Sequence, residues 1–62
     1  MKVRDVLKLL ETNGWYQIRM RSSHRIMAHS IKQGIVVVPG KPGDEIPKGT
    51  LASIWKQAQL EK

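Results

Sequence analysis

Apolar side chains recur at helical spacing near both ends of the chain. The stripe near the start consists of Val3, Val6, Leu7 and Leu10, and the stripe near the end consists of Leu51, Ile54, Trp55 and Ala58. Positions i, i+3, i+4 and i+7 lie on one face of a helix, so these stripes predict amphipathic helices over residues 3–12 and 48–60. Asn13-Gly14 can close the first helix, and Pro47 suits the first turn of the second.

The apolar period changes to two residues in the middle of the chain. Here the apolar residues Tyr16, Ile18 and Met20 alternate with the polar residues Gln17, Arg19 and Arg21. This alternation predicts a strand, opened by Trp15, that buries its apolar face and exposes its polar face. Residues 24–29 and the β-branched run 35–38 predict two further strands, with turns at 22–23 and 32–34. A loop rich in Gly and Pro, 39–43, ends the sheet.

The order helix, strand, strand, strand, helix with short turns predicts an α+β fold with a three-stranded antiparallel sheet. Each helix has a single apolar stripe, so both are expected on one face of the sheet, which leaves the other face open. A chain of 62 residues is sufficient for a single domain, 1–62, with one thin core. Trp15 and Trp55 are expected to anchor that core, not to stack on bases.

Composition excludes several kinds of site. There is no cysteine, so disulfides, cysteine zinc sites and thiol nucleophiles are ruled out, and a cytoplasmic location is expected. The longest apolar run, 35–38, is far shorter than the roughly 20 residues that span a bilayer, so no membrane association is expected. His24 and His29 are five positions apart and would point to opposite faces of a regular strand. We therefore expect neither a metal nor a cofactor.

Positive charge is concentrated in the middle of the chain. Eleven Lys and Arg oppose five Asp and Glu, which gives a net charge of +6. Residues 12–43 contain no acidic residue, and their basic residues are Arg19, Arg21, Arg25, Lys32 and Lys41. Such a concentration attracts polyanions and is typical of proteins that bind nucleic acid. The alternative is a solvated face that keeps a small protein soluble.

His24 is the candidate for chemistry because basic side chains flank it in the segment Arg21-Ser22-Ser23-His24-Arg25. Imidazoles ordinarily titrate near neutral pH, so this ring could take a proton from a ribose 2′-OH or give one to a leaving 5′-oxygen. Guanidinium groups can bind the scissile phosphate and stabilise the charge of its transition state. A histidine among arginines can equally be an ordinary surface residue.

Three segments resemble the HicA toxin family in order and spacing. They are residues 8–15, residues 21–25 with Met27 and His29, and residues 48–54 with 56–58. The resemblance implies a fold similar to a double-stranded RNA-binding domain and a metal-independent endoribonuclease that cleaves mRNA. It also implies a HicB-like antitoxin that blocks the active site.

The resemblance places the catalytic histidine of the family on His24. The residues expected to bind RNA around it are Arg19, Arg21, Ser22, Ser23, Arg25, His29 and Lys41. His29 has a structural role as an alternative, and Lys41 is expected to make a general electrostatic contact. The chain departs from the family at Ser22 and Gln59, where glycine is usual, and at Met27, where an aromatic residue is typical. If position 22 needs positive φ, serine would strain the backbone beside His24.

Two other functions remain open at this stage. A non-catalytic or weakened RNA-binding module would keep the basic face without needing His24, and degradation of RNA by the purified protein separates it from a nuclease. A DNA-binding or protein-interaction domain is the other alternative. A helix-turn-helix reader needs two adjacent helices, whereas three strands separate the helices predicted here.

Overall fold

The computed structural model describes residues 1–60, and its elements follow the predicted order. They are α1 (Val3–Thr12), β1 (Trp15–Arg21), β2 (His24–His29), β3 (Val36–Val38) and α2 (Lys48–Gln57). The strands form one antiparallel sheet in the order β1-β2-β3. The α+β class and the three-stranded antiparallel sheet are therefore confirmed. The prediction for the end of α2 is wrong by three residues, and β3 begins one residue later than predicted.

Both helices contribute to one core on a single side of the sheet. The buried residues are Val3, Val6 and Leu10 of α1, Ile54 of α2, Ala58 beyond it, Trp15, Met27, Val36 and Val38 of the sheet, and Ile46. Leu7, Leu51 and Trp55 pack against this cluster and are partly buried. Trp15 is thus the tryptophan that lies fully in the core, whereas Trp55 lies at its edge. The opposite side of the sheet, which neither helix covers, is called the open face below.

The apolar residues of β1 are not buried as the sequence predicted. Tyr16, Ile18 and Met20 each keep 49% of their surface exposed, and Trp15 is the one residue of the strand in the core. Trp15 points towards the helices, so its neighbour Tyr16 points away from them. A β-bulge between Gln17 and Arg19 then reverses the alternation, so Met20, which pairs with Arg25, lies on the helix side but is still half exposed.

The loop after β3 caps the start of α1 with its backbone. The backbone N–H of Val3 donates to the carbonyl oxygen of Asp44 at 2.9 Å, and that of Arg4 donates to the carbonyl oxygen of Pro42 at 3.1 Å. No side chain caps this helix end. The loop is itself closed by the backbone N–H of Lys41, which donates to Oδ2 of Asp44 at 3.0 Å. Orphan N–H groups of the first helical turn are therefore satisfied by a distant segment.

His29 joins three segments of the chain through its ring. Nδ1 accepts hydrogen bonds from the backbone N–H groups of Ile31 and Lys32, both at 3.0 Å. Nε2 must then carry the proton, and it donates to the carbonyl oxygen of Asn13 at 2.9 Å. The ring also meets Trp15 edge-on, with centroids 5.1 Å apart. This histidine ties the end of β2 to the turn before β1 and to the loop after β2.

Gly14 is required beside this histidine. Its φ is +92°, and a Cβ at this position would lie 2.6 Å from Nε2 of His29. Two other residues adopt positive φ without being glycine, namely Ser22 at 54° and Gln59 at 59°. These are the two positions at which the sequence departs from the usual glycine of the resembling family. Serine and glutamine therefore occupy backbone conformations that favour glycine.

Replacing Ser22 by glycine should raise the free energy of unfolding by about 0.5–1 kcal/mol. Relief of the left-handed backbone is worth about 1–2 kcal/mol, which exceeds the roughly 0.5–1 kcal/mol that glycine adds in unfolded-chain entropy. Gln59→Gly should gain less, because Nε2 of Gln59 donates to the carbonyl oxygen of Gln33 at 3.4 Å. Urea denaturation measures both changes. Ser23→Gly is the matched control, since Ser23 lacks positive φ; an equal gain there would contradict the strain argument.

His29→Ala should lower the free energy of unfolding by about 2–3 kcal/mol. It removes three hydrogen bonds of roughly 0.5–1.5 kcal/mol each and the edge contact with Trp15. His24→Ala is the matched control, because the side chain of His24 is exposed and makes no hydrogen bond within residues 1–60. The loss of unfolding free energy in this variant should stay below about 0.5 kcal/mol. Thermal and urea unfolding of both variants provide the measurement. Equal losses would show that His29 does not act as described.

Candidate functional site

His24 is the first residue of β2 and follows the two-residue turn Ser22-Ser23. Its cross-strand partner is Arg21, the last residue of β1. All of these side chains are exposed. A tight hairpin end therefore presents an imidazole to solvent with a guanidinium on the neighbouring strand, because partners directly opposite each other have Cβ atoms about 4.5–5.5 Å apart.

The bulge determines which side chains accompany His24. In β2 the buried Met27 points towards the helices, so His24, Ile26 and Ala28 point to the open face. Arg19 pairs with Ile26 and Arg21 pairs with His24, which places both arginines on the same face. The sequence predicted that Arg19 and Arg21 would be on a wet face. The structure puts them there through the bulge and not through regular alternation.

Arg25 does not flank His24 in the way that the sequence suggested. It pairs with Met20 and with the buried Val38, so it lies on the helix side of β2. Its Nη1 donates to the carbonyl oxygen of Gly40 at 3.2 Å in a partly buried setting. The guanidinium therefore attaches β2 to the loop after β3. Arg21 is the neighbouring guanidinium that shares the face of His24.

The other residues predicted to bind RNA are spread over the molecule. Lys41 lies in the loop that Arg25 and Asp44 hold, and no hydrogen bond within residues 1–60 joins its side chain to His24. His29 lies at the far end of β2, and hydrogen bonds to the backbone occupy both of its ring nitrogens. The geometry favours the structural role for His29. Ser22 and Ser23 form the exposed turn beside His24.

Sequence reasoning missed an apolar depression on the open face. It is shallow, has a volume of about 280 Å³ and is lined by Ile18, Arg19, Arg21, Ile26 and Ile35. Ile18 and Ile35 are 49% and 51% exposed. Regular alternation would place Ile18 and Arg19 on opposite faces of the sheet. The cleft could therefore have been predicted only if the bulge were known. We call this depression the isoleucine cleft.

Within residues 1–60, no three His, Cys, Asp or Glu side chains lie close enough together to hold a metal ion. Within the same residues, neither helix has the length and apolarity needed to cross a membrane. The open face thus carries the imidazole of His24, the guanidinium groups of Arg19 and Arg21 and the phenol of Tyr16.

Comparison with known proteins gives one family. Comparison with curated proteins gave no match. A family model described as the HicA toxin of bacterial toxin-antitoxin matches residues 3–60 of this 62-residue chain. The match covers every helix and strand of the fold. This chain therefore belongs to the HicA toxin family and is a toxin of a bacterial toxin–antitoxin system.

Proposed function

We propose that this toxin is an endoribonuclease that cleaves mRNA, with His24 as its catalytic residue. The observation that carries the proposal is the exposed pair of His24 and Arg21 at one hairpin end, with Arg19 on the same face. Family membership supports a toxic activity, and the pair combines an imidazole, which can accept a proton, with guanidinium groups, which can bind phosphate.

The chemistry proposed for this pair is a transesterification within the RNA. The unprotonated imidazole of His24 accepts the proton of a ribose 2′-OH, and the 2′-oxygen attacks the adjacent phosphorus. The bond from phosphorus to the 5′-oxygen breaks, and that oxygen takes a proton from water. The hydroxide left behind takes the proton held by His24, which returns the imidazole to its neutral form. Arg21 and Arg19 bind the phosphate and stabilise the charge that develops on it. The products are a 2′,3′-cyclic phosphate and a 5′-hydroxyl.

Binding of RNA by this toxin is proposed to depend on a small number of cations. Of the basic residues in 12–43, Arg25 donates to the carbonyl oxygen of Gly40, and Nζ of Lys32 donates to the carbonyl oxygen of Ala58 at 3.3 Å. Arg19 and Arg21 remain on the open face with His24. Lys41 adds positive charge from the loop after β3. We therefore propose that Arg25, which the sequence suggested as an RNA-binding residue, contributes less to RNA binding than Arg19 and Arg21 do.

His24→Ala should abolish RNA cleavage and toxicity while the protein remains folded. Loss of a proton-transferring group typically lowers the rate by about 10²–10⁴-fold. The measurements are degradation of RNA by the purified variant, growth on induction, and the circular dichroism spectrum. Ser53→Ala, on the exposed side of α2, should cleave at the wild-type rate. A wild-type rate for His24→Ala would show that the toxin acts without this residue, whereas binding of RNA without cleavage by the wild-type protein would favour a non-catalytic module.

Cleavage should persist in EDTA and should require the 2′-OH at the cut site. The proposed step uses an imidazole and guanidinium groups, so chelation removes nothing that it needs. An oligonucleotide with a single 2′-deoxy substitution at the cut site should remain intact, and the all-RNA control should give a product that ends in 2′,3′-cyclic phosphate. Efficient cleavage of the substituted strand would rule out attack by the 2′-oxygen.

We further propose that a HicB-like protein, encoded beside the toxin gene, inhibits by covering the open face. Arg21→Glu should weaken binding of both RNA and this antitoxin by about tenfold or more, because the same guanidinium attracts phosphates and carboxylates. Paired titrations at two salt concentrations measure both affinities. Lys56→Glu makes the same charge change in the last turn of α2 and should alter each by less than about twofold.

Undiminished antitoxin affinity in Arg21→Glu would place the inhibitor elsewhere on the toxin. Lys62, the last residue of the chain, lies outside the described residues, and Lys56 is therefore the control. Arg25→Gln separates the two roles considered for Arg25. It should lower stability through loss of the hydrogen bond to Gly40 and should affect RNA affinity less than Arg21→Gln does.

A further inference from the structure

The isoleucine cleft lies beside the proposed catalytic pair. Ile26 is two residues from His24 in β2, and Arg21, which lines the cleft, is the cross-strand partner of His24. Ile18 and Ile35 leave about half of their surfaces exposed. A molecule seated in the cleft would therefore lie beside His24.

The apolar part of the cleft, formed by Ile18, Ile26 and Ile35, does not match RNA. Isoleucine offers no hydrogen-bond donor for phosphate and no π face on which a base can stack. The one aromatic residue exposed in β1, Tyr16, is not among the residues that line the cleft. Adjoining apolar side chains that are exposed in the free protein are instead typical of the centre of a protein–protein interface, where the partner buries them. Arg19 and Arg21 would then form the polar rim of that interface.

A second copy of this chain is not a suitable occupant. In a symmetric dimer through this face, the arginines of one copy would meet those of the other, and each chain already carries a net charge of +6. Like charges placed together at an interface are strongly unfavourable. A partner with carboxylates around an apolar side chain avoids this repulsion and pairs with both guanidinium groups.

We propose that the isoleucine cleft is the anchor site for the antitoxin, where it takes one large apolar side chain flanked by carboxylates that pair with Arg19 and Arg21. The inference rests on the proposed function, since it takes the antitoxin as the ligand of the open face. It adds that the two ligands use the face differently. RNA needs the arginines and His24, whereas the antitoxin also needs the isoleucines.

The test uses Ile18→Ser and Ile35→Ser, with Ile31→Ser as the matched control. Ile31 is 85% exposed but does not line the cleft. The probe is the HicB-family protein encoded beside the toxin gene, and the readouts are its dissociation constant and the rate of RNA cleavage. Each cleft variant should weaken antitoxin binding about tenfold or more, as expected for a side chain that contacts an anchor residue. Cleavage should stay within about twofold of wild type, and Ile31→Ser should change neither quantity by more than that.

The outcomes separate this inference from the function on which it rests. Unchanged antitoxin affinity in both cleft variants overturns the anchor site while the open-face proposal stands. Reduced cleavage with retained antitoxin affinity shows that the cleft binds RNA and also overturns it. If the antitoxin does not bind the wild-type toxin, the proposed partner fails and the anchor site fails with it. Should Ile18→Ser lose its folded spectrum, Ile18→Thr keeps the β-branched shape, and the same tenfold threshold applies.

Discussion

Burial of Trp15 is the constraint from which the open face follows. Trp15 is 1% exposed and pairs with His29, so the start of β1 has its register and its buried side fixed. In a regular strand, Arg21 would then point to the same side as Trp15, because the two residues are six positions apart, an even number. The bulge at Ile18 adds one residue to β1, reverses the later alternation and lets Arg21 meet His24 across a two-residue turn. The arrangement of the candidate site is thus a consequence of where one tryptophan is buried and where one residue is inserted.

The two histidines show how local surroundings give one of two identical side chains a structural role and leave the other exposed to solvent. His29 gives all of its hydrogen-bonding capacity to backbone groups and lies against Trp15, so it can fix the fold but has no ring nitrogen left for a substrate. His24 is exposed and uses neither nitrogen within residues 1–60. A domain of this size buries only about 60% of its unfolded surface, so cross-links such as the His29 ring matter more than they would in a larger core.

The sequence was sufficient for those features that periodicity or backbone chemistry determines. It predicted the bounds of α1 and β2, the burial of Trp15, and the strain at Ser22 that follows if position 22 has positive φ, as it does in the structure. It was wrong about the buried face of β1, because Trp15, and not the apolar residues that alternate after it, lies in the core. It also missed the bulge, which has no signature in the pattern of apolar and polar residues. It also grouped Arg25 with His24 because the two are adjacent in sequence. Adjacent residues, however, occupy opposite faces of a strand, and the hydrogen bond of Arg25 to a remote loop cannot be inferred from spacing.

Under the proposed function, one face would serve both RNA and a protein inhibitor and would have to distinguish them by something other than charge. Phosphates and carboxylates both pair with guanidinium groups, so Arg19 and Arg21 would accelerate the approach of either ligand without selecting between them. Differences in affinity between ligands of one surface arise mainly in the rate of dissociation, which depends on contacts that exclude water. The exposed isoleucines beside these arginines can make such contacts with a protein side chain but not with a ribose or a phosphate. An inhibitor that fills the cleft can therefore remain bound where RNA exchanges, even though both are attracted by the same two charges.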